Sequence, residues 1–191
     1  AFSVKADLGD ETSCASLIQA AVSAAGGLDI LVNNAAVFHR DSLEMTTEAK
    51  LRAEIETNAF APIYLTRAFA ALSGDTPSGC LRGKVINLLD QRVAGLECGT
   101  LPYLLSKKML AEFTKIAALE LAPEFTVNAV APGPVLPPPG EGPERTRELA
   151  GSTPLGMPLT PQAVAQAVVY LLAADAVTGQ TIFVDGGQHL G

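Results

Sequence analysis

Lys84-Val85-Ile86-Asn87-Leu88-Leu89, closed by Asp90, precedes a helical pattern from Tyr103 to Leu121 and then Thr126-Val127-Asn128-Ala129-Val130-Ala131. Two short apolar runs on either side of a helix read as parallel strands joined by a crossover. A strand buried on both faces needs no polar alternation, and parallel neighbours need a long connection. The same grammar extends outward in both directions. Phe2 to Ala6 is strand-like, Asp10 to Ser13 offers capping residues, and Cys14 to Ala25 reads as a helix ending at Gly26-Gly27. Asp29 to Asn33 is a further strand and Thr47 to Leu72 a long helix. Downstream, Pro161 to Ala173 is a helix and Thr181 to Val184 a last strand. Strands alternating with helices predict an α/β fold with a doubly wound parallel sheet, and 191 residues suit a single domain over 1–191. Leu110, Phe113, Ile116, Ala117 and Leu121 are expected to form the buried side of the helix beginning at Tyr103.

Composition narrows the function classes. Hydrophobic residues make up 48% and charged ones 17%, below the usual charged share of about 25%. This suits a large core, with subunit surfaces to cover. A net charge of −7 argues against nucleic-acid binding, which needs a basic stripe. No apolar run approaches the ~20 residues of a membrane span. Cys14, Cys80 and Cys98 lack C-x-x-C spacing, and His39 and His189 stand alone, so neither a disulfide framework nor a metal site is expected. A reducing, cytoplasmic setting follows.

In doubly wound sheets ligands lie beyond the carboxyl ends of the strands. Those ends are Ala6-Asp7-Leu8, Asn33-Asn34-Ala35-Ala36, Leu88-Leu89-Asp90 and Ala131-Pro132-Gly133, where polar and small residues gather. After the last of these, a proline- and glycine-rich stretch carries the charged run Glu144 to Glu148. A loop of this length is expected to be a substrate lid over 134–156.

Tyr103 and Lys107 are four residues apart and share one helix face. A phenol titrates near ~10, and a neighbouring positive charge favours its ionised form. The pair is therefore a candidate general acid for a carbonyl, imine or similar double bond. Asn58 has a separate argument. Pro62, four residues on, has no N–H for the Asn58 carbonyl, so the helix should bend there and leave a group for a proton-carrying water.

Asn33-Asn34-Ala35-Ala36, Asn58, Tyr103-x-x-x-Lys107, Pro132-Gly133-Pro134-Val135 and Val184-Asp185-Gly186-Gly187 occur in an order and spacing that resembles the short-chain dehydrogenases/reductases. The resemblance runs along the whole chain and implies a Rossmann-like sheet. The family's glycine-rich turn after its first strand has no counterpart, and the chain starts on Ala1 where that family has its third strand. The native protein is accordingly expected to be longer by several tens of residues at its N-terminus. Where the family has a catalytic Ser thirteen residues before the Tyr, this chain has Asp90. The pteridine reductase branch also has Asp there, with an aromatic four beyond the second Asn, which here is Phe38. Thr100, Pro134 and Pro137 depart from that branch.

The resemblance implies hydride transfer from NADP(H), with NAD(H) left open, to a pterin or folate. Asp90, Tyr103, Lys107 and Asn58 would be catalytic, and Phe38, Asp90 and Tyr103 would meet the substrate. Asp7, Leu8, Asn34, Ala35, Ala36, Leu88, Tyr103, Lys107, Pro132, Gly133 and Val135 would line the cofactor. Lys107 would hold down the pKa of Tyr103. Homodimers or homotetramers would pair through the two long helices. Two alternatives stay open: a carbonyl or 3-oxoacyl-carrier-protein reductase, and a non-catalytic dinucleotide-binding protein.

Overall fold

A computed structural model describes residues 1–72, 80–136, 142, 144, 148, 151 and 153–191. Its elements in chain order are α1 (Glu11–Ala25), β1 (Ile30–Asn33), α2 (Glu48–Ile55), a π-helical turn (Glu56–Phe60), α3 (Ala61–Ala70) and β2 (Gly83–Leu88). A 3-10 turn (Gln91–Ala94), α4 (Leu101–Glu120), β3 (Phe125–Pro132), α5 (Pro161–Ala173), β4 (Thr181–Val184) and a second 3-10 turn (Gln188–Leu190) follow. The four strands lie in the order β1-β2-β3-β4, every pair parallel, with Leu31 opposite Val85 and Leu88 opposite Val130.

The apolar runs explain the layers. On one face Val85, Val127 and Ala129 meet α1, α3 and α4 through Ile18, Leu65, Phe69, Leu110 and Ala117. On the other, Ile86, Leu88 and Val130 meet α5 through Leu171 and its neighbours. A sheet covered on both faces is the doubly wound arrangement expected from the sequence. Local signals set the helix ends. Asp10 Oδ2 accepts from the Ser13 N–H at 2.9 Å, and Gly26 closes α1 with a left-handed φ of 82°.

Three expectations are corrected. Phe2 to Ala6 forms no strand: Phe2 is 74% and Val4 44% exposed. Among the described residues no strand lies along the free edge of β1, so this segment has no ladder to join. The helix expected over Thr47 to Leu72 is interrupted by the π-helical turn, where Ala61 donates to the Glu56 carbonyl five residues back. That wider turn lies just ahead of Pro62, which cannot donate to the Asn58 carbonyl. Ile116 is 53% exposed, on an outward stripe of α4 with Leu105, Met109 and Leu119. Of the expected lid, residues 137–141, 143, 145–147, 149–150 and 152 lie outside the described residues.

Candidate active site

Because all strands are parallel, their carboxyl ends gather on one rim. β2 ends at Leu88, the chain stays extended through Asp90, and the 3-10 turn then presents the Arg92 N–H to Asp90 Oδ1 at 2.9 Å. The Arg92 guanidinium returns to Asp90 Oδ2 at 2.9 Å. α4 opens at Leu101 with Pro102 in its first turn, where a missing N–H costs nothing. This places Tyr103 at the rim, and its hydroxyl donates to Asp90 Oδ2 at 3.1 Å. The two residues expected to act together are therefore in contact.

One turn further, Lys107 is 2% exposed and donates from Nζ to the Leu88 carbonyl at 2.7 Å. Burial pulls its pKa down to about 8, although the Asp90 and Glu54 carboxylates act in the opposite sense. The expectation for Tyr103 is reversed. Burial, then the charge and hydrogen bond of Asp90, push its phenol well above the ordinary range. Lys107 Nζ is aimed at a carbonyl and lies 5.9 Å from the centre of the phenol ring. It does not offset a carboxylate in direct contact with the hydroxyl. Tyr103 is consequently a proton-loaded acid in this arrangement.

Phe38 stands edge-on to Tyr103, with ring centres 4.8 Å apart and planes at 87°. The Arg92 guanidinium lies 6.0 Å from the Phe38 ring centre. Asn58, fully buried in the π-helical turn, is tied on three sides. Its amide accepts from the Val37 N–H at 2.8 Å and donates to the Val37 carbonyl at 2.8 Å, to Glu54 Oε2 at 2.8 Å and to Ser106 Oγ at 3.0 Å. Ser106 in turn donates to the Tyr103 carbonyl at 2.7 Å. Asn58 thus links the segment carrying Phe38 to the helix carrying Tyr103 and Lys107.

Sequence reasoning missed Glu54, Ser106 and the role of Arg92. Glu54 is fully buried. The spacing Glu54 to Asn58, one helical turn, carried the signal, but Glu56 nearby is equally acidic and only half-buried. Ser106 lies between two site residues, and Arg92 two residues after Asp90, where short turns fold back on a carboxylate.

The residues expected around a dinucleotide divide into two groups. Asn34, Ala35 and Ala36 are exposed at the end of β1, and a cleft of about 310 Å³ runs along β1 beside α1 and α3, lined by Leu8, Ile18, Ile30, Asn34, Ala35 and Leu65 among others. Leu88, at the end of β2, accepts from Lys107 through its carbonyl. Small exposed side chains at the end of β1 and the buried ammonium beneath the end of β2 fit such a ligand. Asp7 is not part of that cleft lining: its Oδ1 accepts from the Gly9 N–H at 3.0 Å, and its N–H donates to Ser13 Oγ at 2.9 Å. At the end of β3, Pro132 pairs with Val184 and the Gly133 N–H donates to the Val184 carbonyl at 3.0 Å. A methyl group at Gly133 would come within 2.9 Å of the Asp185 Cα, so the close approach requires glycine. Val135 is half-buried beyond this turn.

Comparison with known proteins finds relatives along nearly the whole chain. The family model described as enoyl-(acyl carrier protein) reductase matches residues 1–189. A glucose and ribitol dehydrogenase homolog of Oryza sativa subsp. japonica is 33% identical over 97% of this chain, and the chain spans 65% of its length. Galactitol 2-dehydrogenase of Agrobacterium fabrum is 31% identical over 100% of this chain and 79% of its own length. Among solved structures, FolM alternative dihydrofolate reductase 1 from Brucella suis, in complex with NADP, superposes with a TM-score of 0.89. It is 34% identical and covers 98% of this chain and 74% of that one. No helix among the described residues is long and apolar enough to cross a membrane.

Proposed function

The chain belongs to the short-chain dehydrogenase/reductase family, and we propose that it is an NADPH-dependent reductase of a pterin or folate-like substrate. The observation that carries this reading is the Asp90–Tyr103 hydrogen bond of 3.1 Å beneath the edge-on ring of Phe38. A ketone needs one proton on its oxygen. A reduced pterin needs one on a ring nitrogen, and its amino-pyrimidine edge offers N–H donors that a carboxylate accepts. A carboxylate beside a proton-loaded phenol, with an aromatic ring to flank a flat heterocycle, suits the second substrate. The dinucleotide complex of the FolM structure supports the cofactor.

A bound nicotinamide dinucleotide would supply the hydride, held by Leu8 and Asn34 to Ala36 along the cleft and by Lys107 and Pro132 to Val135 at the rim. Tyr103 carries the proton for the substrate nitrogen. Asp90 accepts from the amino edge, and Arg92 holds that carboxylate as an ion pair at 2.9 Å. Asn58 fixes α4 against the Phe38 segment. Exposed Phe60, Leu105, Met109, Ile116 and Leu119 give the π-helical turn and α4 an apolar outer surface, which supports pairing of subunits through these helices.

The polyol and sugar dehydrogenase names among the relatives favour a second reading, reduction of a simple carbonyl. Replacing Asp90 separates the two. Asp90→Ser should lower kcat/KM for dihydropterins by about 10–100-fold while leaving ketone reduction level or improved, since a hydroxyl can donate to a carbonyl but lacks the charged, two-oxygen acceptor that an amino-pyrimidine edge would meet in a carboxylate. Unchanged pterin turnover in Asp90→Ser would remove the reason for preferring this substrate class.

A further inference from the structure

Glu54 is a carboxylate with no exposed surface and, among the described residues, no lysine or arginine paired with it. A buried charge persists only where hydrogen bonds and nearby opposite charge replace water. Its Oε1 accepts from the His39 N–H at 2.8 Å and lies 2.8 Å from His39 Nδ1, while Oε2 accepts from the Asn58 amide at 2.8 Å. The His39 side chain is 55% exposed, so this carboxylate is one residue from solvent on its outer side. On its inner side the Asn58 amide that it holds also donates to Ser106 Oγ of α4, which lies between Tyr103 and Lys107 in the chain. The field of Glu54 is felt at both the phenol and the ammonium, raising each pKa.

We propose that Glu54 is a positioning residue of the reductase site: held by His39, it fixes the Asn58 amide and places a second negative charge, besides Asp90, behind the Tyr103–Lys107 pair. This inference rests on the reductase reading for its effect on turnover, but not for its effect on Lys107. Asp90 faces the substrate and exchanges partners when one binds. Glu54 faces no ligand and keeps its three hydrogen bonds, so it supplies the constant part of the field. Behind Asp90, whose effect is the larger, its carboxylate favours the protonated form of the buried Lys107 ammonium.

The test is a pH titration of the Lys107 ε-carbon resonance in lysine-labelled protein, without cofactor, in the parent and in Glu54→Gln and Glu54→Asp. Glutamine keeps an acceptor for Asn58 but removes the charge. The Lys107 midpoint should move to lower pH than the parent's, with a smaller fraction of ammonium at a given pH, and the alkaline limb of turnover should move down with it. Glu54→Asp keeps the charge but shortens the arm. Its Lys107 midpoint should stay near the parent's while kcat falls severalfold at unchanged KM, because Asn58 is loosened. A Lys107 midpoint unmoved in Glu54→Gln overturns the proposal. Should Glu54→Gln fail to fold, a parental kcat in Glu54→Asp overturns it instead. A parent that reduces neither pterins nor ketones defeats the reductase reading, and the Lys107 titration still decides the case of Glu54.

Discussion

The front and the back of the site are built differently. At the front, Asp90, Tyr103, Arg92 and Phe38 are held by contacts that a substrate can replace: the phenol donates to a carboxylate at 3.1 Å, and Asp90 is capped by its own turn. At the back, Asn58 spends its amide on Val37, Glu54 and Ser106, and Lys107 is anchored on the Leu88 carbonyl. Polar groups left exchangeable select what binds. Groups fully satisfied inside the protein fix geometry and charge. Changes at the front should therefore alter which substrate is reduced, and changes at the back should alter pH dependence and stability.

The largest effect belongs to the proton itself. Tyr103→Phe should lower kcat by about 10²–10⁴-fold with the fold intact, measured by steady-state NADPH oxidation and thermal unfolding. Asn58→Ala should come next, in the other currency. It strands the Val37 N–H and carbonyl and the Glu54 carboxylate inside the protein, at a cost of about 2–4 kcal/mol in denaturant unfolding. Lys107 couples the two regions through pH. Its folded-state pKa of about 8 lies below the ordinary 10.5, so between those values the unfolded chain binds more protons than the native one. Stability should rise with pH across that window, by up to about 3 kcal/mol, because the cost of burying the ammonium disappears. Turnover should fall over the same range as the ammonium is lost. Activity and stability moving in opposite directions above about pH 8 is the signature to seek in paired pH profiles. Phe38→Ala should have the smallest effect, up to about tenfold in KM for a pterin and little for a small ketone, since an edge-to-face contact is worth about 0.5–1.5 kcal/mol.

Much of this was legible from residue order. Strands buried on both faces have to be apolar throughout, so β2 and β3 announce themselves, and the rim follows from their common direction. Asp90 and Tyr103 were placed together by strand end and helix start, and the structure joins them directly. Other features depend on partners that no local pattern reveals. Phe2 to Ala6 has strand chemistry but, among the described residues, no neighbouring strand to bond. Ile116 is as apolar as Leu110, yet the helix turns it outward. The reversal at Tyr103 came from burial first, and then from the Asp90 carboxylate in contact with the hydroxyl, neither of which residue spacing reveals. Glu54 stands among other acids in its helical stretch, and only the packing of α2 against its neighbours makes it a buried one.

The most direct test of the central claim is NADPH oxidation by the purified protein across a matched panel of dihydrobiopterin, dihydrofolate and dihydromonapterin against small ketones and a 3-oxoacyl thioester. The carboxylate–phenol pair under Phe38 predicts the highest kcat/KM on a dihydropterin or dihydrofolate, by about tenfold or more over any ketone. Robust turnover of ketones with none of any pterin or folate would contradict it.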